Sequence, residues 1–187
     1  MKFGTVLTAL ALESVSAHWG VGWCDPFGPE TVKDFKVDDY AGNWYQIESD
    51  KDGFGKGLEC CTASYKYNKD AWWSFYPVEV RNRCYVDSKV QSGDSIFGWP
   101  QAWARCTWGN GNCNVKFAWY PEGTYMVLDT DYTTKSLVYN CDTWFGLFFT
   151  SNAWIIGRSQ SLSSGTLTSL HDTFKSKVSN WAYPIDD

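Results

Sequence analysis

Apolar and polar residues alternate along much of the chain, most plainly in the stretch GTYMVLDTDYTTKSLVYNC from Gly123 to Cys141. Tyr125, Val127 and Asp129 alternate with Met126, Leu128 and Thr130; after a polar turn, Leu137, Tyr139 and Cys141 alternate with Val138 and Asn140. Successive side chains of a strand point to opposite faces, so this pattern predicts two half-buried antiparallel strands. The turn, Asp131 to Thr134, carries the Asp and Thr side chains that turns favour. Further strands are predicted at Gly42 to Glu48, at Cys60 to Tyr67, at Trp72 to Cys84 with Pro77 marking a bend or an edge, and at Val115 to Tyr120. Tyr85 to Val90 and Ser95 to Arg105 read as weaker strands. Trp108-Gly109-Asn110-Gly111 reads as a hairpin turn, Asn-Gly supplying positive φ. Short strands at this spacing form a sandwich or a closed barrel, and the pattern does not choose between them.

The period changes once. Leu167, Leu170, Phe174 and Val178 fall on one face of a helix, with Asp172, Lys175 and Lys177 off the stripe and Ser163 or Ser164 as N-cap. One amphipathic helix beside many strands must dock outside the sheet. Residues 18–39 read as an irregular lead-in.

Composition narrows the class. Lys2, the apolar run from Phe3 to Leu12 and the small residues Val15-Ser16-Ala17 predict a secretory signal peptide over 1–17, too short to span a bilayer. The remainder, 187 less 17 or 170 residues, suits a single domain over 18–187. A net charge of -5 argues against nucleic acid as a partner. Seven cysteines fit a secreted, disulfide-bonded chain and leave one over in a monomer. Cys106 and Cys113 flank the predicted Asn-Gly turn and can meet across a hairpin; Cys84 can meet one of Cys60 and Cys61 across the sheet, and of those two only one can face inward. With only His18 and His171 in the chain, and no Cys-x-x-Cys spacing, no metal site is expected.

Catalytic patterns are weak. His171 on the helix reads as a surface residue, and no nucleophile elbow or phosphate-binding loop is present. His18, exposed by signal cleavage, could chelate copper through its amine and ring, but no second histidine is placed to join it. The aromatic load is more informative: 12 Trp, 11 Tyr and 11 Phe, 18% of the chain. Such residues can fill a core, wall a cavity for a flat or elongated apolar ligand, or stack on sugars as exposed Trp in a carbohydrate-binding β-sandwich.

Three strings settle the choice by resemblance. Gly42-Asn43-Trp44, Thr130-Asp131-Tyr132 and Ala153-Trp154-Ile155-Ile156-Gly157-Arg158 occur in the order and at the distances found in the lipocalins. The chain most resembles their apolipoprotein D-like branch, with bilin-binding proteins and crustacyanins as neighbours. The likeness spans Cys24 to about Trp181. It implies an all-β fold: an eight-stranded antiparallel up-and-down barrel with one C-terminal helix packed outside. It implies a secreted, extracellular binding and transport protein and no enzyme. Its cavity would hold a small hydrophobic ligand such as a sterol, fatty acid, bilin or carotenoid. No cofactor is required, although a lipid or chromophore could be bound; homo-oligomers are left open. Trp44 would close the barrel floor under Arg158, and Tyr125 and Trp154 would line the cavity, with Tyr139, Phe117 and Trp119 as further liners. The resemblance also pairs Cys24 with Cys141 and favours Cys60 over Cys61 as the partner of Cys84, leaving Cys61 as the odd thiol.

Overall fold

The computed structural model describes residues 19–50, 59–70, 75–86, 89–92, 102–107, 109–117 and 121–178. Its strands are β1 (Trp19–Val21), β2 (Gly42–Ser49), β3 (Glu59–Tyr67), β4 (Val78–Val86), β5 (Lys89–Ser92), β6 (Ala102–Cys106), β7 (Asn112–Phe117), β8 (Gly123–Thr130), β9 (Lys135–Trp144) and β10 (Phe148–Gly157). A short helix α1 (Val37–Tyr40) precedes β2, and α2 (Ser164–Lys177) follows β10. Each strand pairs antiparallel with its neighbour, and β10 pairs with both β9 and β2, which closes the sheet. β5 and β6 both pair with β4 and share one position in the ring, so the barrel has eight. β1 is an extra strand on β10. The sheet is therefore not an open sandwich.

Strand alternation sorts the apolar residues into two cores. One lies outside the barrel: Met126, Leu128, Leu137, Tyr139, Ala153 and Ile155 pack under Leu170 and Phe174 of α2. The other lies inside, around Trp44, Val127, Val138 and Ile156 and around Val78, Val80, Ala102, Ala104 and Val115. Alternation lets neighbouring residues serve both cores: Val127 is buried inward and Met126 and Leu128 outward, with a register shift between Val127 and Asp129. Ser163 caps α2, its Oγ accepting the Thr166 N–H at 3.2 Å. His171 departs from the surface role expected of it. It is half-buried, with Nε2 2.5 Å from Oε2 of Glu48, whose side chain is buried under the helix.

Other expectations shift at their edges. β4 begins just after Pro77 and takes in Tyr85, because Val78 to Arg83 pair with β3, Tyr85 opposes Glu59 beyond a register shift, and Arg83 to Val86 pair with β5. The hairpin joining β6 and β7 forms, with Thr107 N–H donating to Asn112 O, but its positive φ falls on Gly109. The lead-in is less irregular than its sequence. Val32 N–H donates to Val127 O and accepts at its carbonyl from Gly111 N–H, strapping the segment across the closed end. Residues 1–17 and Trp119 lie outside the described residues. Among those described, no helix is long and apolar enough to cross a membrane.

Three disulfides form: Cys24–Cys141, Cys61–Cys84 and Cys106–Cys113. The expected pairing of Cys60 with Cys84 is corrected. Ala63 opposes Asn82 and Tyr65 opposes Val80 on the inner face; Cys61 shares their parity and so meets Cys84. Cys60 takes a positive φ of 49° at a register shift and is left as an exposed thiol.

Candidate functional site

The closed end of the barrel is built around Trp44, which has no exposed surface. Its indole N–H donates to Tyr40 O at 2.9 Å. The Arg158 guanidinium lies 3.8 Å above its ring. Arg158 also donates to the carbonyls of Tyr132, Asn43, Asp39, Tyr40 and Ala41 at 2.9–3.2 Å. One side chain thus ties the end of β10 to α1, to the start of β2 and to the β8–β9 turn. Gly42 has φ of +102°, and a Cβ there would lie 3.1 Å from Arg158 Nη1, so glycine fits for two reasons. The β8–β9 turn is held by Asp131, whose Oδ1 accepts the N–H groups of Thr133, Thr134 and Lys135. Burial opposes its ionisation, but the Thr134 hydroxyl and these N–H groups outweigh burial and hold the carboxyl below its ordinary value. Thr130 Oγ1 donates to Lys135 O and accepts from Tyr132 N–H. These residues, read from sequence as structural, form one clamp.

Above the clamp, three tyrosines converge. Tyr125 OH lies 3.0 Å from both Tyr40 OH and Tyr65 OH, and Tyr40 OH lies 3.0 Å from Ser136 Oγ. Burial pushes the Tyr65 hydroxyl up to about 12 and those of Tyr40 and Tyr125 well above the ordinary tyrosine value. The hollow among these rings, bounded also by Phe35, Val37 and Val115, has a volume of about 30 Å³, room for roughly one water. The base of the barrel is filled by its own side chains.

The residues expected to line the cavity divide. Tyr125, Trp154 and Phe117 face inward, each only partly buried. Tyr139 does not: it packs edge-on against Phe174 under the helix, ring centroids 6.0 Å apart. The reason is parity, since Val138 faces Val127 inside and its neighbour must face out. Sequence reasoning missed Tyr40, Tyr65 and Ser136, and also Asn140, Asp142 and Asn152 higher on the wall. Counting in twos from Val138 finds Ser136, Asn140 and Asp142. Tyr40 stands in a segment that alternation does not describe.

A closed eight-stranded barrel with an inner apolar chamber, a clamped floor and one outer helix defines the lipocalin class of ligand-binding proteins. The chain is 35% identical to bovine apolipoprotein D over 150 residues, covering 79% of this chain and 74% of that protein. It is 28% identical to mouse apolipoprotein D over 94% of its own length and 87% of the relative's. Insecticyanin from the tobacco hornworm superposes with a TM-score of 0.62 at 20% identity, over 84% of this chain and 80% of that one. Lobster apocrustacyanin A1 superposes at 0.56 and 14%, over 82% and 86%; at these identities both speak for the fold alone. No family model matches the chain. The chain belongs to the lipocalin family, among its apolipoprotein D-like members. Its family is one of binding and transport proteins for small hydrophobic molecules, and it is not an enzyme.

Proposed function

We propose that this chain, as a single domain over 18–187, is a secreted carrier that holds a flat or elongated apolar ligand in the barrel above the tyrosine cluster. Sterols, fatty acids, bilins and carotenoids are the classes in view. The observation that carries the reading is the inward face of the upper barrel. There Tyr125, Trp154 and Phe117 keep part of their surface uncovered within a closed sheet. Aromatic faces in a concave site supply large apolar contact with little conformational cost. Three disulfides suit an extracellular setting.

Titration with apolar ligands while following Trp fluorescence tests this. Ligand should quench the protein, and Trp154→Ala should weaken binding about fivefold or more, the loss of roughly a kcal/mol of aromatic contact. Soluble oligosaccharides should leave the fluorescence unchanged. Quenching by sugars alone would overturn the reading.

A further inference from the structure

The lumen wall made by β9 and β10 changes character with height. Its inward pairs run from Val138 opposite Trp154, through Asn140 opposite Asn152, to Asp142 opposite Thr150. The polar pairs are linked. Asn152 Nδ2 donates to Asn140 Oδ1 at 2.7 Å, and Asn140 Nδ2 donates to Asp142 Oδ2 at 2.7 Å. Asp142 Oδ1 accepts the Thr124 N–H at 2.8 Å. The paired register of β8 with β9 ends at Met126 and Tyr139, so this last contact stands in for a missing ladder bond. The second oxygen serves no main-chain group among the described residues. Gly123 stands against the same carboxyl: a Cβ there would come within 3.1 Å of Oδ2. Asp142 and Asn140 are only partly buried, and being inward-facing they present their remaining surface to the lumen. Burial raises the Asp142 carboxyl above its ordinary value, with Thr124 and Asn140 acting against that.

Resting on the carrier reading above, we infer that Asp142 and Asn140 form a polar subsite that takes a hydrogen bond from an un-ionised hydroxyl or ring N–H on an otherwise apolar ligand. An ionised carboxylate only accepts, and its two oxygens offer about four lone-pair sites. The described contacts leave capacity for another donor. A hydrocarbon filling the lumen would strip water from the carboxyl and return nothing, which is costly. A ligand carboxylate at this height would meet a like charge, and a ketone or ether set against Asp142 Oδ2 would bring an acceptor to an acceptor. The wall therefore sorts ligands of one shape by the group they carry.

Retinol, retinal and retinyl methyl ether share a carbon skeleton and differ in that group. Titrated into the full chain and followed by Trp quenching, retinol should bind about tenfold tighter than either of the others, as for one hydrogen bond to a charged acceptor. In Asp142→Asn the amide carbonyl still accepts the Thr124 N–H and a donor replaces the lumen oxygen, with the Asn140 and Asn152 amides turned over so that the Asn140 oxygen receives it. The preference for retinol should fall to within about twofold or turn towards retinal. Equal affinities in the unaltered protein, or an equal loss for all three ligands in Asp142→Asn, would overturn the subsite while leaving the carrier reading intact. Binding of none of the three would overturn the carrier reading and the subsite with it. Should Asp142→Asn fail to fold, the three affinities of the unaltered protein decide alone.

Discussion

Removing the indole of Trp44 tests the clamp that shuts the barrel. The residue has no exposed surface, and emptying a large buried aromatic site costs roughly 3–5 kcal/mol. The lost indole N–H adds little, because Tyr40 O also accepts from Arg158 Nη2 at 3.2 Å and is not left unpaired. Trp44→Ala should therefore lose about 4 kcal/mol. Arg158→Ala should lose less, about 2–3 kcal/mol. Its acceptors on Asp39 and Asn43 belong to exposed residues that water can reach, so each bond nets only about 0.5–1 kcal/mol. The two effects should not add. A guanidinium 3.8 Å from the ring contributes to both single losses, and the double variant should fall short of the sum by about 1–2 kcal/mol. Urea unfolding followed by far-UV circular dichroism measures this, provided the slope m is unchanged between variants. Losses that sum to within about 0.5 kcal/mol would refute the stacking argument. Arg158→Lys should recover little, since an ammonium cannot reach five carbonyls while lying flat on an indole.

Other measurements bear on the barrel interior and its wall. The hydroxyls of Tyr40, Tyr65 and Tyr125 are raised by burial, Tyr65 to about 12, and Tyr139 to about 12 as well. A folded value above the unfolded one, about 10, contributes stability that is complete below about pH 10 and is lost as pH rises through the folded value. Tyr76 is raised too, by its hydrogen bond to Glu122, so phenolate absorbance near pH 11 should count about four to five fewer ionised tyrosines in native than in denatured protein, and titration of all eleven near 10 in folded protein would contradict it. Native protein should take up one equivalent of a thiol reagent, and peptide mapping should place it on Cys60; label on Cys61 would reverse the assigned pairing.

The barrel was legible where one residue fixes the face of its neighbours. The Gly123–Cys141 stretch alternates without a break in sequence, and its two strands and turn stand where that pattern put them. Tyr139 was placed in the cavity under the resemblance, and alternation alone could not correct that, because both faces of β9 are buried, one by the lumen and one by α2. Hydrophobicity alone cannot say which face is which; Val138 packing on Val127 can. Cys60 and Cys61 failed for a different reason: the resemblance favoured Cys60, whereas a count of twos from Tyr65 and Ala63 reaches Cys61. The clamp was half visible. Trp44 and Arg158 were named from motif strings, but the carbonyls that receive Arg158 are main-chain atoms, which carry no sequence signal. The tyrosine cluster joins residues as far apart as Tyr40 and Ser136, and only the closed fold brings them together.

The pairing of β10 with β2 also bears on how the chain acquires its fold. Ile156 lies opposite Gln46 and Gly157 opposite Tyr45, so the outer edge of β2 waits for the last strand. During synthesis more than a hundred residues must emerge before that edge is covered, and Arg158 arrives directly after it. Non-local pairing of this kind slows folding, because chain closure must precede the contacts that reward it. Until then the nascent sheet presents an unpaired edge, the feature most prone to misassociation. The Cys24–Cys141 bond, with its sequence separation of 117, lies across the same long loop. Formed early, it would cut the entropy of that search by about 4–5 kcal/mol. An oxidising environment during synthesis would thus shorten the interval in which the edge lies open.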